Sequence, residues 1–190
     1  MFINWKLREI NLKIVYYGPA LSGKTTNLEY IHAQIDPRRR GELVSLKTHG
    51  DRTIYFDFMQ LELGEIKRFK PKFNLYTVPG QVIYVASRKL VLQGADGVVY
   101  VADSGPDRLE ENVEALRDLE RNLRELGYDP ERIPLVLQYN KRDLPNAVPL
   151  DLLSRSLARN GAPQFEAVAT RGLGVLDTLK AAIHLVVSRI

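Results

Sequence analysis

Cysteine is absent from the 190 residues of the chain. Its absence excludes a disulfide framework, a thiol nucleophile and a cysteine-ligated zinc site, and it fits a reducing compartment. It also excludes prenyl and palmitoyl groups, and Phe2 excludes N-myristoylation. No apolar run approaches the roughly 18 residues that span a bilayer, and the first residues lack the apolar stretch of a signal peptide. We therefore expect a cytoplasmic protein without a direct membrane anchor, whose membrane attachment, if any, comes through a partner.

A large excess of one charge sign is absent too. Lys and Arg number 27 against 23 Asp and Glu, which leaves a net charge of +4. Basic residues cluster at residues 38–40 and at Lys67, Arg68, Lys70 and Lys72. Neither cluster has the interleaved aromatics of a single-strand groove. We interpret them as solvated loops and a charged strand edge, and we expect no nucleic-acid partner.

Strand and helix patterns alternate along the chain without a repeat or a linker. The alternation predicts one α/β domain over residues 1–190, with a mainly parallel six-stranded sheet and helices on both faces. The predicted strands are 10–17, 53–63, 72–78, 97–102, 133–139 and 165–168. The second and third of these form an antiparallel hairpin. Two apolar stripes at helical spacing are expected to face the core: Leu109, Val113, Leu116, Leu123 and Leu126, and Leu176, Leu179, Ile183, Val186 and Ile190.

The sequence GPALSGKT at residues 18–25 matches the phosphate-loop pattern between a predicted strand and a helix that begins near Lys24. Glycines at both ends let successive backbone N–H groups turn toward phosphate oxygens. Lys24 is expected to reach the β and γ phosphates, and the Thr25 hydroxyl to bind Mg²⁺. Nucleotide contacts are expected from Gly18, Leu21, Ser22, Gly23, Lys24, Thr25 and Thr26.

A second motif, NKRD at residues 140–143, follows the predicted strand 133–139. The ionised Asp143 carboxylate only accepts hydrogen bonds, so it can take the ring N–H and the exocyclic amine of guanine. Adenine offers an acceptor and no amine at the matching edge. A site built for guanine therefore rejects adenine strongly, because its buried carboxylate would be left unpaired. Lys141 can lie along the base, and Asn140 can tie this guanine loop to the phosphate loop.

These motifs resemble those of Ras-like small GTPases, which are P-loop NTPases, over essentially the whole chain. Residues 16–19, 77–81 and 139–143 are most similar to the bacterial MglA group, known for polarity and motility control. The resemblance implies GTP/GDP and Mg²⁺ as ligands. It also implies a roadblock/LC7-type activating protein like MglB and switch-dependent effectors. The loop around Ala169 resembles the family's alanine loop, whose N–H meets the guanine carbonyl.

The resemblance also assigns the switch residues. Gly80 matches the glycine that senses the γ-phosphate, and Gln81 the residue that orients the attacking water. Thr53 is preferred to Thr48 as the switch threonine that binds Mg²⁺, and Arg52 matches a cis arginine finger. The predicted catalytic residues are therefore Gln81, Arg52 and Lys24.

Two residues depart from the pattern of most Ras relatives. Thr77 stands where they carry an Asp that binds Mg²⁺ through water. The metal is therefore expected to be held by Thr25, nucleotide phosphates, waters and a switch residue, with a lower affinity. Ala20 stands where many carry Gly beside the γ-phosphate, and its methyl predicts slow hydrolysis. Two alternatives to a GTP-hydrolysing switch are a GTP-loaded scaffold with negligible turnover and an ATP-using P-loop enzyme, which the NKRD motif argues against.

Overall fold

The computed structural model describes residues 1–46, 56–79, 85–159 and 161–190. Its strands are β1 Phe2–Asn4, β2 Glu9–Tyr17, β3 Val44–Leu46, β4 Phe56–Glu62, β5 Lys70–Thr77, β6 Gly97–Asp103, β7 Leu135–Asn140 and β8 Gln164–Glu166. Its helices are α1 Lys24–Gln34, α2 Val85–Leu92, α3 Leu109–Glu125, α4 Leu150–Leu157 and α5 Val175–Val187. Within these residues, no helix is both long enough and apolar enough to cross a bilayer.

All the strands join one sheet in the order β3-β4-β5-β2-β6-β7-β8, with β1 paired to β2. The neighbouring pairs β5-β2, β2-β6, β6-β7 and β7-β8 run parallel. Strands β4 and β5 form the predicted antiparallel hairpin. The six predicted strands and the mainly parallel sheet are therefore confirmed. Two three-residue strands that were not predicted, β1 and β3, extend the sheet by antiparallel pairing.

Helices cover both faces of the sheet, as predicted. One core cluster includes residues of α1 and α5, and the other includes residues of α2, α3 and α4. Strand β6 runs between them and is buried at every position, which explains its continuous apolar run. The two predicted stripes pack into these cores, for example through Leu116 and Leu123 on α3 and Leu179 and Val186 on α5.

The parallel strands β2, β6 and β7 end at one edge of the sheet. The phosphate loop follows β2, Ser104 follows β6, and the guanine loop lies at the end of β7. Ligands in open α/β sheets bind at this carboxyl edge. The fold thus brings together motifs that lie more than a hundred residues apart.

Candidate functional site

The phosphate loop has a backbone that requires glycine at both ends. Gly18 has φ 143° and Gly23 has φ 98°, and Leu21 is also left-handed at φ 62°. A Cβ on Gly18 would lie 2.2 Å from the Val101 carbonyl oxygen, and one on Gly23 would lie 2.2 Å from the Asn140 amide nitrogen. Left-handed residues within such a loop turn backbone N–H groups toward a common centre, and α1 begins directly behind them. The conformation fits a bound polyphosphate.

Lys24 is a buried cation within this loop. Its Nζ donates to the carbonyl oxygens of Gly18 at 3.0 Å and Pro19 at 2.6 Å. Burial, followed by the positive charge of Arg88, lowers the pKa of Lys24 to about 7, and the negative charge of Asp57 offsets this only in part. A phosphate anion in the loop supplies the charge that restores an ammonium. The electrostatics of Lys24 therefore fit the predicted ligand.

A cluster of side-chain oxygens surrounds Asp57, a residue that sequence reasoning missed. Its Oδ2 accepts from the Thr25 hydroxyl at 2.6 Å and from the Thr77 hydroxyl at 2.8 Å. Its Oδ1 accepts from the Ser45 hydroxyl at 2.6 Å. The carboxylate absent at position 77 is thus supplied by the neighbouring strand β4. A carboxylate beside the Thr25 hydroxyl fits the hard oxygen ligands that Mg²⁺ prefers.

The pattern of β4 contained a signal for Asp57. The sequence predicts a strand over residues 53–63 without singling out Asp57, but the buried face of β4 carries Asp57, Met59 and Leu61. A carboxylate alternating with core residues is expected only where partners satisfy it. Here those partners are the hydroxyls of three different segments.

A cleft of about 100 Å³ lies between the phosphate loop and the guanine loop. It is lined by Leu21, Gly23, Thr26, Asn140, Lys141, Asp143, Val168, Ala169 and Thr170. Residues from all three segments predicted to contact the base and its neighbouring phosphate thus share one cleft. Val168 and Thr170 flank Ala169 and were not predicted.

Asn140 joins the three segments. Its amide nitrogen donates to the Ser22 carbonyl at 2.8 Å, as the expected tie between the guanine and phosphate loops requires. Its amide oxygen accepts from the Ala169 N–H at 2.9 Å. Asn140 therefore already accepts from the Ala169 N–H that is expected to meet the guanine carbonyl. To bind the base as well, this N–H must be shared between the Asn140 amide oxygen and the guanine carbonyl.

Asp103, at the end of β6, is a second residue that sequence reasoning missed. Its buried carboxylate accepts from Lys141 Nζ at 2.7 Å and lies 3.5 Å from Arg108 Nε. The Arg108 guanidinium also donates to the Ala20 carbonyl at 2.7 Å. Asp103 and Arg108 thus link the guanine loop to the phosphate loop. In the sequence, the signal for this role of Asp103 was an acidic residue at the end of an otherwise apolar strand.

A buried network on the other side of the phosphate loop reaches α2. The Tyr17 hydroxyl, at the end of β2, donates to Asp118 Oδ2 at 2.6 Å. Arg88 on α2 lies 3.3 Å from the same oxygen. The helix that follows residues 80–84 is therefore tied to the strand that leads into the phosphate loop.

The predicted switch and catalytic residues Thr48, Arg52, Thr53, Gly80 and Gln81 lie outside the described residues. Their roles stay predictions. Of the predicted metal ligands, the structure places Thr25 beside Asp57, and Thr53 is among the residues not described.

Comparison with known proteins decides the family. No family model matches the chain. The chain is 57% identical over 189 residues to the mutual gliding-motility protein MglA of Myxococcus xanthus (strain DK1622), an alignment that covers 100% of this chain and 97% of that protein. The chain belongs to the MglA family of small GTPases.

Membership of the MglA family accounts for the fold and the motifs together. The α/β sheet with its antiparallel hairpin is that of a small GTPase. A small GTPase binds guanine nucleotides, which agrees with a cleft formed by a phosphate loop and an NKRD loop. The unusual Thr77, which pointed to the MglA group at the sequence level, occurs here with Asp57 as its hydrogen-bond partner.

Proposed function

We propose that the chain is a GTP-binding molecular switch that hydrolyses GTP to GDP and phosphate, slowly unless an activating partner completes the site. The observation that carries the proposal is the single cleft in which Leu21 and Gly23 of the phosphate loop meet Asn140, Lys141 and Asp143 of the guanine loop. A base held there lies next to the loop that cradles phosphates, and the Asp143 carboxylate selects guanine over adenine.

The phosphate end of the site supports hydrolysis rather than binding alone. Lys24 would stabilise negative charge that builds on the β and γ phosphates, from a position fixed by the loop carbonyls. Gln81 would orient the attacking water, and Arg52 would neutralise charge in the transition state. The methyl of Ala20 crowds this arrangement and predicts a low basal rate.

Thr25 and Asp57 would hold Mg²⁺, with Thr53 from the first switch. Asp57 would act through a metal-bound water, as the Asp at position 77 does in most Ras relatives. When bound, the ion would supply positive charge that offsets the negative charge of the phosphates.

The switch would work through the segments around Thr53 and Gly80. Contacts to the γ-phosphate order them, and hydrolysis releases them. The hairpin β4–β5 joins these two segments, and the Arg88–Asp118 contact ties the helix after the second to α3. Both connections are suited to pass the nucleotide state to a partner surface.

The relative from Myxococcus xanthus is a mutual gliding-motility protein. We therefore propose that the effectors of this chain are polarity or motility proteins, and that its activator is a roadblock/LC7-type protein like MglB. Ala20 favours one alternative, a GTP-loaded scaffold with negligible turnover.

Single-turnover phosphate release with GTP and with ATP, each with and without a roadblock protein, tests the proposal. Slow release from GTP that the roadblock protein accelerates is the expected result. Release from GTP that stays negligible with the partner present supports the scaffold. Faster release from ATP than from GTP contradicts both.

A further inference from the structure

Two turns lie side by side at the end of the sheet opposite the phosphate loop. The first, residues 5–8, precedes β2, and the second, residues 66–69, precedes β5. The Trp5 ring packs edge-on against Phe69 with 5.3 Å between centroids, and the Lys70 N–H donates to the Arg8 carbonyl at 2.8 Å. We call residues 1–8 and 66–70 the basic-aromatic tip. The nine residues of β2 separate it from the phosphate loop by roughly 30 Å.

The basic-aromatic tip exposes large apolar side chains. Phe2 is 65% exposed, Trp5 74% and Leu7 59%, and Met1 is exposed beside them. Single exposed apolar side chains are common on proteins, but several within eight residues form a patch that marks an interaction surface. Trp5 and Leu7 lie on the first turn, and Phe2 lies on β1 just before it.

Basic side chains surround these apolar groups. Lys6, Arg8, Lys67, Arg68 and Lys70 are all exposed. Within the described part of the chain none of the five forms an ion pair with an acidic side chain, and nearby Glu9 and Glu62 pair with Lys72. Lys67 Nζ donates to the Ile190 carbonyl oxygen at 3.1 Å. Glu65, directly before the second turn, is an exposed acidic residue. The tip therefore carries a clear local excess of positive charge.

The backbone of the tip is also unusual. Arg8, Lys67 and Arg68 have φ of 53°, 49° and 68°, in the left-handed region that favours glycine. They are three of the five non-glycine residues with positive φ in the described chain. All three side chains are exposed, so these strained turns leave their cations in solvent.

We propose that the basic-aromatic tip docks on an anionic membrane surface. Trp and other apolar side chains on protruding turns can enter the interfacial region of a bilayer, and surrounding Lys and Arg are attracted to acidic headgroups. A groove that binds a peptide or helix covers much of each side chain that lines it, whereas Trp5 and Leu7 are mostly exposed and surrounded by cations, so we assign the tip to an anionic lipid surface rather than to an acidic protein. Docking is weak, reversible and sensitive to salt.

This orientation leaves the nucleotide site exposed. With the tip on the membrane, the phosphate loop and the guanine loop face away from it at the other end of β2 and β7. Membrane attachment was expected only through a partner. Residues 67–72 were interpreted as a charged strand edge because they contain one aromatic residue, Phe69, and the tryptophan that packs against it, Trp5, lies more than sixty residues earlier.

Trp5 gives a direct test because it is the single tryptophan of the chain. Its emission is recorded while the full chain is titrated with vesicles of phosphatidylcholine alone and with a 3:1 mixture of phosphatidylcholine and phosphatidylglycerol. The expected result is a blue shift with the anionic vesicles, which 0.5 M salt reverses, and little shift with the neutral ones. Co-sedimentation with the same vesicles gives the bound fraction independently.

Two matched pairs of charge reversals distinguish vesicle binding through the tip from general electrostatic attraction of the protein to anionic vesicles. Lys67→Glu with Arg68→Glu is expected to weaken anionic-vesicle binding about 30-fold or more, given the attraction of each basic residue to an acidic surface. Arg117→Glu with Arg155→Glu, on exposed parts of α3 and α4, changes the net charge equally and is expected to leave most of the binding intact. The milder Lys6→Gln with Lys70→Gln is expected to show an intermediate loss, and thermal unfolding confirms that each variant folds.

Three outcomes would overturn the proposal. One is an unchanged Trp5 emission with anionic vesicles. Another is an equal loss of binding in both charge-reversal pairs. The third is a blue shift produced by a poly-glutamate peptide but not by vesicles, which would assign the tip to an acidic protein.

Discussion

The Thr77 hydroxyl donates to the Asp57 carboxylate at 2.8 Å, and the Asp57 N–H donates back to the Thr77 hydroxyl oxygen at the same distance. The two residues lie one step beyond the Phe58–Tyr76 pair of the β4–β5 hairpin. A carboxylate that most Ras relatives carry on the strand of Thr77 is here on the adjacent strand. The hairpin register thus supplies the acidic group that position 77 lacks.

We expect Asp57→Asn to weaken Mg²⁺ binding about 10- to 100-fold, the usual effect of losing an outer-shell ligand partner. Titrating Mg²⁺ against the dissociation of a fluorescent GDP measures it. The double variant Asp57→Asn with Thr77→Asp returns the carboxylate to the usual strand and is expected to recover most of the affinity. Thr77→Asp alone places two carboxylates together and is expected to destabilise the fold. Unchanged Mg²⁺ dependence in Asp57→Asn would exclude a metal role for Asp57.

The pKa of Lys24 predicts how stability depends on pH in the nucleotide-free protein. Burial lowers it from 10.5 to about 7, so between these pH values the unfolded chain binds one more proton at Lys24 than the folded chain does. The neutral form of Lys24 therefore makes its full contribution to the free energy of unfolding above pH 10.5, and this contribution is lost as the pH falls through about 7. Thermal unfolding between pH 7 and 9 is expected to show a rise in stability that Lys24→Met lacks and that Lys180→Met, on an exposed site, retains. An equal rise of thermal stability with pH in all three proteins would contradict the lowered pKa of Lys24.

Asp103 holds Lys141 at 2.7 Å and faces Arg108, so Asp103→Asn is expected to loosen both ends of the nucleotide site. Charged hydrogen bonds of about 1.5–3 kcal/mol predict that GDP dissociates roughly 10- to 100-fold faster. Arg108→Ala removes the link to the Ala20 carbonyl and the contacts of Arg108 with Asp103 and Glu111, but it keeps the Asp103–Lys141 bond, so a smaller effect on dissociation is expected. Stopped-flow release of a fluorescent GDP compares the two. A larger effect for Arg108→Ala would place the main support of the site at the phosphate loop instead.

Ala20→Gly is expected to accelerate single-turnover GTP cleavage by removing a methyl beside the γ-phosphate, while GDP affinity stays within about threefold. The Arg108 bond to the residue 20 carbonyl uses the backbone and survives the change. Cleavage measured in the absence of a partner isolates the effect. An unchanged rate would mean that the methyl does not limit hydrolysis.

The sequence predicted the architecture and most of the cleft because their signals are local. A glycine-bounded loop between a strand and a helix and an NKRD motif after a strand each define a short segment, and the parallel sheet brings them to one edge. Asp57 and Asp103 were missed because their roles depend on partners in other elements: Thr77 and Thr25 for Asp57, and Lys141 and Arg108 for Asp103. Strands β1 and β3 were missed because three residues carry too little periodicity. The pairing of Trp5 with Phe69 joins two turns that are distant in sequence and equally lacked a local signal.

Competition for a fluorescent GDP tests the central claim, guanine-nucleotide binding, most directly. Unlabelled GTP is expected to displace the probe at near-equal concentration, while ATP at a thousandfold excess leaves it bound, because adenine offers an acceptor and no amine at the edge that would face the Asp143 carboxylate. In Asp143→Ala the preference for GTP over ATP is expected to collapse. Displacement by ATP as effective as by GTP, in the unmodified chain, would contradict the account.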